Sequence, residues 1–539
     1  MKWVNSRISF FVILVVVLAI NGCSPVAPTL APSAVEQAPA ATQAPNASAE
    51  TMEGTTSGTV KFLYNLPALH TWDPSSALIK PNVGIYKLIF DRLIERDPEG
   101  NLLPSLATEW KQVSDTKWEL QLRTDVKFHD GTDLDAEDVK ASLERYTDPT
   151  RPSPYAGLYA AKQFLVEIKD PQTVVVDTQQ PMAVFLKYLS LVSVVSSDAI
   201  QAESWDKPIG TGPFRFGTLD GETLTMEANQ DYWDGPPGYQ TLIWDYVPDA
   251  DTRISALRSG EADIIIGIPP DKDPILTGDP NVKLYRVPSD ELRLLFVRGP
   301  KFADKRARQA VMYAIDRQAI LSGIELDKGI LAQSHISTPL LGWKDMNKAT
   351  GISYDYDPEK AKQLLTEINF PFDEPVRYVT TGYFPRQVEV SQAIVQYLQD
   401  VGINVQLEVG EAGKWFDAHT DESVELLDTG WPTHFWDPDE ILYMVTPAMW
   451  DWSSKYREQD LADMVAKQDT LLESAERADY ISTTLLPRLW EEMAWVPLYD
   501  RTVSWATSAE IQGFVPWPSE METRFLYFVT LESQNPEGE

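Results

Sequence analysis

The second half of the chain shows the clearest alternation of apolar and polar residues. Residues 376–380 and 405–409 have the composition and alternation of two short strands. Between them, residues 387–401 repeat apolar side chains at helical spacing, and Gly402 marks the end of that helix. The predicted apolar face of this helix consists of Ala393, Ile394, Tyr397, Leu398 and Val401. A strand, a helix and a strand of these lengths predict a βαβ unit in a mixed α/β sheet.

Two more helices in the same region support the α/β class. Residues 304–321 are predicted to form one helix with an inward face of Ala307, Val311, Ala314 and Ile315. A second helix is predicted at residues 358–368, because Asp357 can act as its N-cap and Pro358 suits the first helical position. No internal repeat is visible.

The first half of the chain contains shorter elements of both kinds. The predicted strands lie at residues 60–65, 118–122 and 173–177, and the predicted helices at residues 83–93 and 136–146. Asp135 precedes the second of these helices and is a suitable N-cap. About 480 residues follow the N-terminal segment, a length that predicts two or three lobes.

The N-terminus has the features of an export signal. Lys2 and Arg7 precede an apolar stretch at residues 10–20, which is too short to span a bilayer as a stable helix. Cys23 is the only cysteine of the protein, so it cannot form an internal disulfide. Its position resembles a lipoprotein cleavage site, which predicts signal residues 1–22 and lipidation of Cys23. Asn21 departs from the small residue usual there, and ordinary secretion is the alternative.

Residues 23–58 are predicted to be a tether. They consist almost wholly of Ala, Pro, Thr, Ser and Gln, and they have few side chains large enough to bury. Such a segment cannot offset its own ordering entropy, so we expect it to stay disordered. No later segment of the sequence approaches twenty consecutive apolar residues, and a soluble remainder is therefore expected.

Charge and motifs exclude several function classes. The formal net charge of −34 repels phosphate backbones and argues against a nucleic-acid partner. The motifs G-x-S-x-G, H-E-x-x-H, the P-loop and C-x-x-C are absent from the sequence. The five histidines include no pair at helical metal-ligand spacing. We therefore predict no catalytic residues, no metal and no cofactor.

Two patterns that resemble sites have simpler interpretations. Gly210-Thr211-Gly212 runs into Pro213 without dinucleotide spacing, and a tight turn is predicted there. The acidic pairs Asp249/Asp251 and Asp355/Asp357 lie beside prolines or at helix starts, where aspartate caps backbone N–H groups. We expect them to be structural and not the paired carboxylates of a glycosidase.

Five short motifs occur in a specific order and spacing. They are Pro104–Ala107, Phe128–Gly131, Gly210–Phe214, Asp231–Trp233 and Leu257–Asp263. Together they resemble the extracellular solute-binding proteins of ABC importers, family 5, which include oligopeptide, dipeptide, nickel and some oligosaccharide binders. The likeness runs from about residue 60 to about residue 530. Each motif alone is weak, and the specificity lies in their order.

The resemblance implies a two-lobed periplasmic-binding-protein-like α/β fold of class II, with mixed sheets and an extra subdomain in the first lobe. It implies boundaries at 59–103 and 206–298 for the two parts of lobe I, 104–205 for the inserted subdomain, 299–501 for lobe II, and 502–539 for the return to lobe I and the tail. The chain would cross between lobes near Arg298 and return near Arg501.

The segment 430–438 is the predicted ligand-binding loop. It looks like the family loop that, in peptide-binding members, places an aspartate against the free α-amine of the ligand. The match puts His434 at that position, and an imidazole cannot replace a carboxylate as partner of an ammonium group. Because aromatic faces suit sugar rings, we expect an oligosaccharide ahead of a free peptide. The candidate ligand-binding residues are Trp72, Tyr383, Arg386, Trp415, Trp431, His434, Phe435, Trp436 and Asp437, although each aromatic residue can instead belong to the core and Asp437 can cap a helix.

The expected function is that of a receptor that is not an enzyme. Two lobes would close over a small-molecule, peptide- or oligosaccharide-sized ligand and deliver it to an ABC permease and ATPase complex. The resemblance also implies a monomer, anchored through Cys23 at the outer face of the cytoplasmic membrane or in the periplasmic space. The alternatives are a secreted glycosidase or peptidase, a nickel- or haem-binding member of the family, and a binding protein without transport.

Overall fold

The computed structural model describes residues 58–68, 71–76, 79–148, 150, 163–203, 205–382, 386–453 and 455–531. The predicted signal segment, Cys23, the tether and Tyr383 lie outside the described residues. In the part of the chain that is described, no helix is both long and apolar enough to cross a bilayer.

The described strands and helices alternate along the chain. The strands are β1 Thr59–Tyr64, β2 Ile94–Arg96, β3 Leu102–Pro104, β4 Ala107–Gln112, β5 Lys117–Leu122, β6 Leu165–Asp170, β7 Thr173–Asp177, β8 Phe214–Asp220, β9 Thr223–Ala228, β10 Thr241–Tyr246, β11 Ile264–Ile266, β12 Val282–Val297, β13 Gly329–Leu331, β14 Val376–Thr381, β15 Val405–Gly410, β16 Leu426–Trp431, β17 Val496–Ser508, β18 Ile511–Gln512 and β19 Thr530–Leu531. The helices are α1 Lys80–Ile89, α2 Ala136–Tyr146, α3 Phe185–Leu189, α4 Ser197–Gln201, α5 Ala250–Ser259, α6 Asp273–Thr277, α7 Lys305–Ala314, α8 Arg317–Gly323, α9 Met346–Thr350, α10 Pro358–Glu367, α11 Gln387–Asp400, α12 Ala412–Thr420, α13 Asp439–Leu442, α14 Gln459–Asp469, α15 Ser474–Tyr480, α16 Leu486–Glu492 and α17 Phe525–Phe528. Short 3₁₀ turns lie at Pro270–Lys272, Pro300–Phe302 and Tyr443–Val445, and a π-helical turn lies at Ile481–Leu485.

One large mixed sheet runs through both lobes in the order β15-β14-β16-β12-β17-β11-β1-β10-β9-β8, with β13 paired to β17. We call the part from β11 to β8 the first lobe, together with a smaller antiparallel sheet β4-β5-β7-β6, and the part from β15 to β16 the second lobe. The predicted βαβ unit is confirmed, because β14 and β15 pair in parallel from Val376 opposite Val405 and α11 connects them. The predicted α/β class is confirmed with it.

Two strands carry the chain between the lobes. β12 pairs antiparallel with β17, and the register shifts between Pro288, opposite Thr502, and Leu292, opposite Asp500. Residues 289–291 lie within this shift and we call them the hinge, while the crossing near Arg298 stays a prediction. Arg298 itself is buried within the second lobe, where it donates to the backbone oxygens of residues 418, 419, 424 and 453. The domain boundaries given above stay predictions.

Local capping explains which predicted helices were right. Asp135 caps α2 in a reciprocal capping box, and Asp357 accepts a hydrogen bond from the backbone N–H of Lys360 at 2.8 Å. The single helix predicted at residues 304–321 was wrong. It is two helices, because Ile315 is extended and Asp316 accepts from Ala319 N at 2.8 Å as the N-cap of α8.

The first helix also differs from its prediction. α1 covers Lys80–Ile89 and not residues 83–93, because Phe90 is extended with ψ 140°. The end of this helix explains the Gly210-Thr211-Gly212 motif. A Cβ on Gly210 would lie 2.0 Å from the backbone oxygen of Ile89, and one on Gly212 would lie 2.6 Å from Ile89 C. Close approach of two backbones therefore requires these glycines, and neither has a positive φ.

Candidate ligand-binding site

The predicted binding loop leaves the large sheet at the carboxyl end of a central strand. β16 is buried along its whole length and pairs in parallel with β14, so the residues that follow both strands emerge at the same edge of the sheet. Ligands of open α/β sheets bind at this edge. His434 follows β16 and Arg386 follows β14, so the fold brings the two candidate segments to one side of the second lobe.

Thr433 connects the loop to the crossing between the lobes. Its backbone N–H and hydroxyl both donate to Oδ2 of Asp290, at 3.1 and 2.6 Å. Asp290 is buried within the register shift of β12, and this burial raises the pKa of its carboxyl to about 7 although Thr433 opposes the shift. The start of the loop therefore depends on a buried acid at the hinge.

His434 is held by an acidic side chain. Nδ1 of His434 lies 2.6 Å from Oε1 of Glu440, whose Oε2 accepts from the backbone N–H groups of His434 and Phe435. The imidazole is 7% exposed and Glu440 is 1% exposed. This contact favours the tautomer of His434 that carries its proton on Nδ1 and donates it to Glu440. The backbone oxygen of His434 accepts from Arg96 of the first lobe at 3.1 Å.

The next two residues pack against the first lobe. Phe435 is 3% exposed and belongs to the apolar cluster built on the smaller sheet. Trp436 has φ +58°, and a Cβ on Gly100 would lie 2.6 Å from its ring. The backbone oxygen of Trp436 accepts from Nζ of Lys187 at 3.0 Å. The loop thus joins the two lobes in this structure.

Asp437 is fully buried and carries several hydrogen bonds. Arg477 donates to both of its oxygens, at 2.8 and 2.5 Å, Lys187 lies at 3.1 Å, and the backbone N–H of Asp439 donates at 3.0 Å. Burial alone would raise its pKa, but the charges of Arg477 and Lys187 hold the pKa well below its usual value. Asp437 is therefore ionised, and it lies directly before Pro438, which is the N-cap of α13.

A second group of charges lies at the crossing. Nζ of Lys80 is 2.5 Å from Glu291 and 2.8 Å from Glu520, and Arg501 donates to both oxygens of Glu291 at 3.0 Å. Burial favours a raised pKa for Glu291, but Arg501 and Lys80 together lower the pKa to about 2. These ion pairs link the crossing strands to α1 and to the C-terminal segment.

The remaining candidates lie elsewhere. Trp415 is 4% exposed in the core of the second lobe, with its indole N–H donating to the backbone oxygen of Asp428 at 3.1 Å. Trp431 is buried against Trp452, with ring centroids 5.6 Å apart. Trp72 packs edge-on against Phe216 in the first lobe. Their structural role fits the core interpretation, and Tyr383 is outside the described residues.

Arg386 approaches the first lobe from the second. Its Nη2 lies 3.7 Å from Asp271, and its Nη1 donates to Glu389 at 3.4 Å. It has φ +59° directly before α11.

The site residues that sequence reasoning missed are Lys187, Asp290, Glu440 and Arg477. Only Glu440, six residues after His434, was close enough in sequence to be considered.

The comparison with protein families decides the identity of this fold. The sequence model of the bacterial extracellular solute-binding proteins, family 5 Middle, matches residues 101–450. The chain belongs to this family. Family 5 proteins are the solute-binding proteins of ABC importers, and the resemblance inferred from the five motifs is confirmed.

Curated and solved relatives span nearly the full length of this family 5 protein. The glutathione-binding protein GsiB of Escherichia coli (strain K12) is 27% identical over 474 residues, which cover 82% of this chain and 89% of GsiB. The structure of DppA from Helicobacter pylori in complex with the peptide STSA has a TM-score of 0.80 at 22% identity, covering 88% of this chain and 98% of DppA. AgaA in complex with agropinic acid, from A. tumefacien R10, has a TM-score of 0.79 at 25% identity, covering 88% and 99%. The two-lobed fold is confirmed.

These relatives are binding proteins, which fits a chain that is not an enzyme. The described residues contain no cluster of three His, Cys, Asp or Glu side chains arranged to hold a metal ion. The family is periplasmic.

Proposed function

We propose that this chain is the extracytoplasmic receptor of an ABC importer and binds a peptide or a peptide-derived solute. The observation that carries the proposal is the loop at residues 432–438, which lies at the carboxyl end of β16 and is bonded to both lobes. A ligand that contacts this loop and the first lobe favours the closed arrangement, which the permease can recognise. The glutathione bound by GsiB and the peptide STSA bound by DppA support a peptide or peptide-derived solute ahead of the oligosaccharide expected from aromatic residues.

The charges of the loop support a ligand that does not rely on a free α-amine. Asp437 is neutralised by Arg477, Asp439 accepts from Gln468 at 2.6 Å, and Glu440 holds His434. The carboxylates of Asp437 and Glu440 are therefore engaged by Arg477 and His434. An ammonium group beside His434 would have to compete with these two side chains for an ionic partner.

A matched pair of ligands tests this proposal. Isothermal titration compares glutathione and simple tripeptides with the same molecules acetylated on the α-amine. A charged hydrogen bond contributes about 1.5–3 kcal/mol, so an amine-binding site would lose about 10- to 100-fold in affinity on acetylation. We expect a change of less than about threefold. A large loss would refute the proposed role of His434, and saturable binding of cello- or malto-oligosaccharides without any peptide binding would refute the ligand class.

The same preparation tests the alternatives. Intact ligand recovered after incubation supports a receptor, whereas hydrolysis products would identify a glycosidase or a peptidase. Elemental analysis and an absorption spectrum test the nickel or haem alternative. Light scattering after gel filtration tests the proposed monomer.

Anchoring through Cys23 is a separate part of the proposal. Its support is the sequence alone: an apolar segment followed by a lone cysteine and a polar, proline-rich stretch. Mass spectrometry of the mature N-terminus is expected to show a diacylglyceryl group on Cys23, and Cys23→Ser is expected to move the protein to the soluble fraction. A membrane-bound Cys23→Ser variant would contradict the anchor.

A further inference from the structure

A cavity of about 570 Å³ lies between the two lobes beside the smaller sheet. One wall is the segment 178–182, which follows β7, and the other wall is α14 of the second lobe. The backbone N–H of Ala183 donates to the backbone oxygen of Asp469 at 2.7 Å and joins the two walls. The volume is within the range of about 300–1,000 Å³ that is typical of small-molecule sites.

The cavity adjoins the loop described above at Asp439, which follows the loop directly and lines the cavity. The described residues that line it do not include His434, Phe435, Trp436 or Asp437. It therefore offers a second place at which a small molecule can contact both lobes. Such an occupant would stabilise the closed arrangement independently of the loop, because it touches a wall of each lobe.

The lining has an apolar floor and an acidic rim. Met182, Val465 and Ala462 are buried and form the floor. The rim carries the carboxylates of Asp463 and Asp469, and a third carboxylate, that of Asp439, is buried in the lining and accepts from Gln468 at 2.6 Å. Amide side chains complete the wall, namely Gln163, Gln179 and Gln180. The lining residues that the structure describes include no Lys, Arg or His.

We propose that this cavity binds an aliphatic chain that ends in an ammonium group. The methylene groups of such a chain match the apolar floor, and the ammonium matches the carboxylate rim. Asp463 accepts one hydrogen bond, from Gln459 at 2.8 Å, and a carboxylate has about four acceptor positions in all. The ligand chemistry is that of a free polyamine or of a lysine side chain within a peptide.

Calorimetric titration of the purified protein near physiological ionic strength tests the proposal. The first arm uses spermidine, and the second compares Gly-Lys-Gly with Gly-norleucine-Gly. We expect one saturable site per chain for spermidine, or tighter binding of Gly-Lys-Gly than of Gly-norleucine-Gly, because both tripeptides can also bind at the loop. The double variant Asp463→Asn/Asp469→Asn is expected to weaken spermidine binding, or to reduce the advantage of the lysine peptide, by at least about tenfold, as charged hydrogen bonds are lost. Spermidine binding alone would identify a polyamine site, and binding of the lysine peptide alone would identify a subsite for a basic side chain.

A matched control separates a built site from the general attraction of an acidic protein. Asp400 is exposed near the end of α11 and accepts from Gln396 at 2.8 Å, the same i−4 arrangement as Asp463 with Gln459. Asp400→Asn is expected to leave the titration unchanged. Equal effects of the single variants Asp463→Asn and Asp400→Asn would overturn the proposal. So would several weak spermidine sites per chain. A third refuting result is a norleucine peptide that binds as tightly as the lysine peptide, together with no spermidine binding.

Two further measurements keep the result interpretable. Thermal unfolding of each variant without ligand checks that exposed Asp463 can be replaced without loss of the fold. The acetylated and free glutathione titrations described above are repeated with the double variant. Unchanged glutathione binding together with lost amine binding supports a second site, whereas loss of both in a folded variant would show that the cavity is part of the main ligand site and would overturn a separate one.

Discussion

Replacing Asp437 by asparagine tests the central ion pair of the binding loop. Asp437 is 0% exposed and receives two hydrogen bonds from Arg477, whose side chain is 4% exposed. The variant removes the hydrogen-bonded counter-charge of a buried guanidinium, which typically costs about 3–5 kcal/mol, and leaves Asp439 and Asp469 as its remaining acidic neighbours. Lys187 is 26% exposed and adds no more than about 1 kcal/mol, because water can solvate it. Since domains unfold with only about 5–15 kcal/mol, the predicted loss is a large fraction of the stability.

Urea unfolding followed by tryptophan fluorescence measures this loss by linear extrapolation. The control is Asp231→Asn, because Asp231 also pairs with an arginine, at 3.2 Å, but is 81% exposed and should change stability by no more than about 1 kcal/mol. The double variant Asp437→Leu/Arg477→Met removes both charges and is expected to recover most of the loss. A loss below about 1 kcal/mol for Asp437→Asn would refute the reasoning.

The pH dependence of the same difference has a defined sign. The pKa of folded Asp437 is held below the ordinary value of 3.8, so its stabilising contribution is fully present above that value. The gap between the wild type and Asp437→Asn is therefore expected to stay constant from pH 7 to pH 5. It is expected to shrink only as the pH falls below 3.8 towards the pKa of the folded state.

Three other predictions follow from buried groups. The pKa of Asp290 is raised from 3.8 to about 7, so thermal stability should fall as the pH rises between these two values. Asp290→Asn should remove this pH dependence of the melting temperature, and an unchanged dependence would contradict the assignment. Gly210→Ala should lower the melting temperature by several degrees, because its Cβ would meet the backbone oxygen of Ile89. Gly323→Ala, which has open space around its Cβ, should be neutral or stabilising, and equal effects of the two variants would contradict the close approach. Phe435→Ala removes a side chain of the second lobe from the apolar cluster of the first. Small-angle scattering should then show a larger radius of gyration without ligand, and titration should show a weaker affinity for glutathione. If both values are unchanged, this contact does not hold the lobes together.

The sequence predicted those elements whose signal is local. The helix that begins at Ala136 has its N-cap and its apolar face within a few residues of each other, and its bounds were right. The helix predicted at residues 304–321 failed because Asp316 can be either a surface residue of a long helix or the cap of a new one, and the apolar spacing does not distinguish them. The sequence carries no break that would locate the crossing, because β12 continues as one strand of 16 residues through the hinge.

The binding loop could be found from its motif, but its partners could not. Arg477 lies 40 residues after Asp437, and Lys187 lies 250 residues before it. Ion pairs of this kind have no periodic signal and depend on the tertiary fold. The aromatic residues show the opposite difficulty, because Trp415 and Trp431 have a binding-site composition in the sequence and a core position in the fold.

The order of strands in the large sheet has a consequence for biogenesis. In the first lobe, β11 lies between β1, from the beginning of the folded region, and β17, from its end. The edge of β11 that faces away from β1 can pair with β17 only after residues 496–508 have been synthesised. The first lobe thus stays incomplete, with one side of β11 unpaired, in every nascent chain that has not yet reached β17.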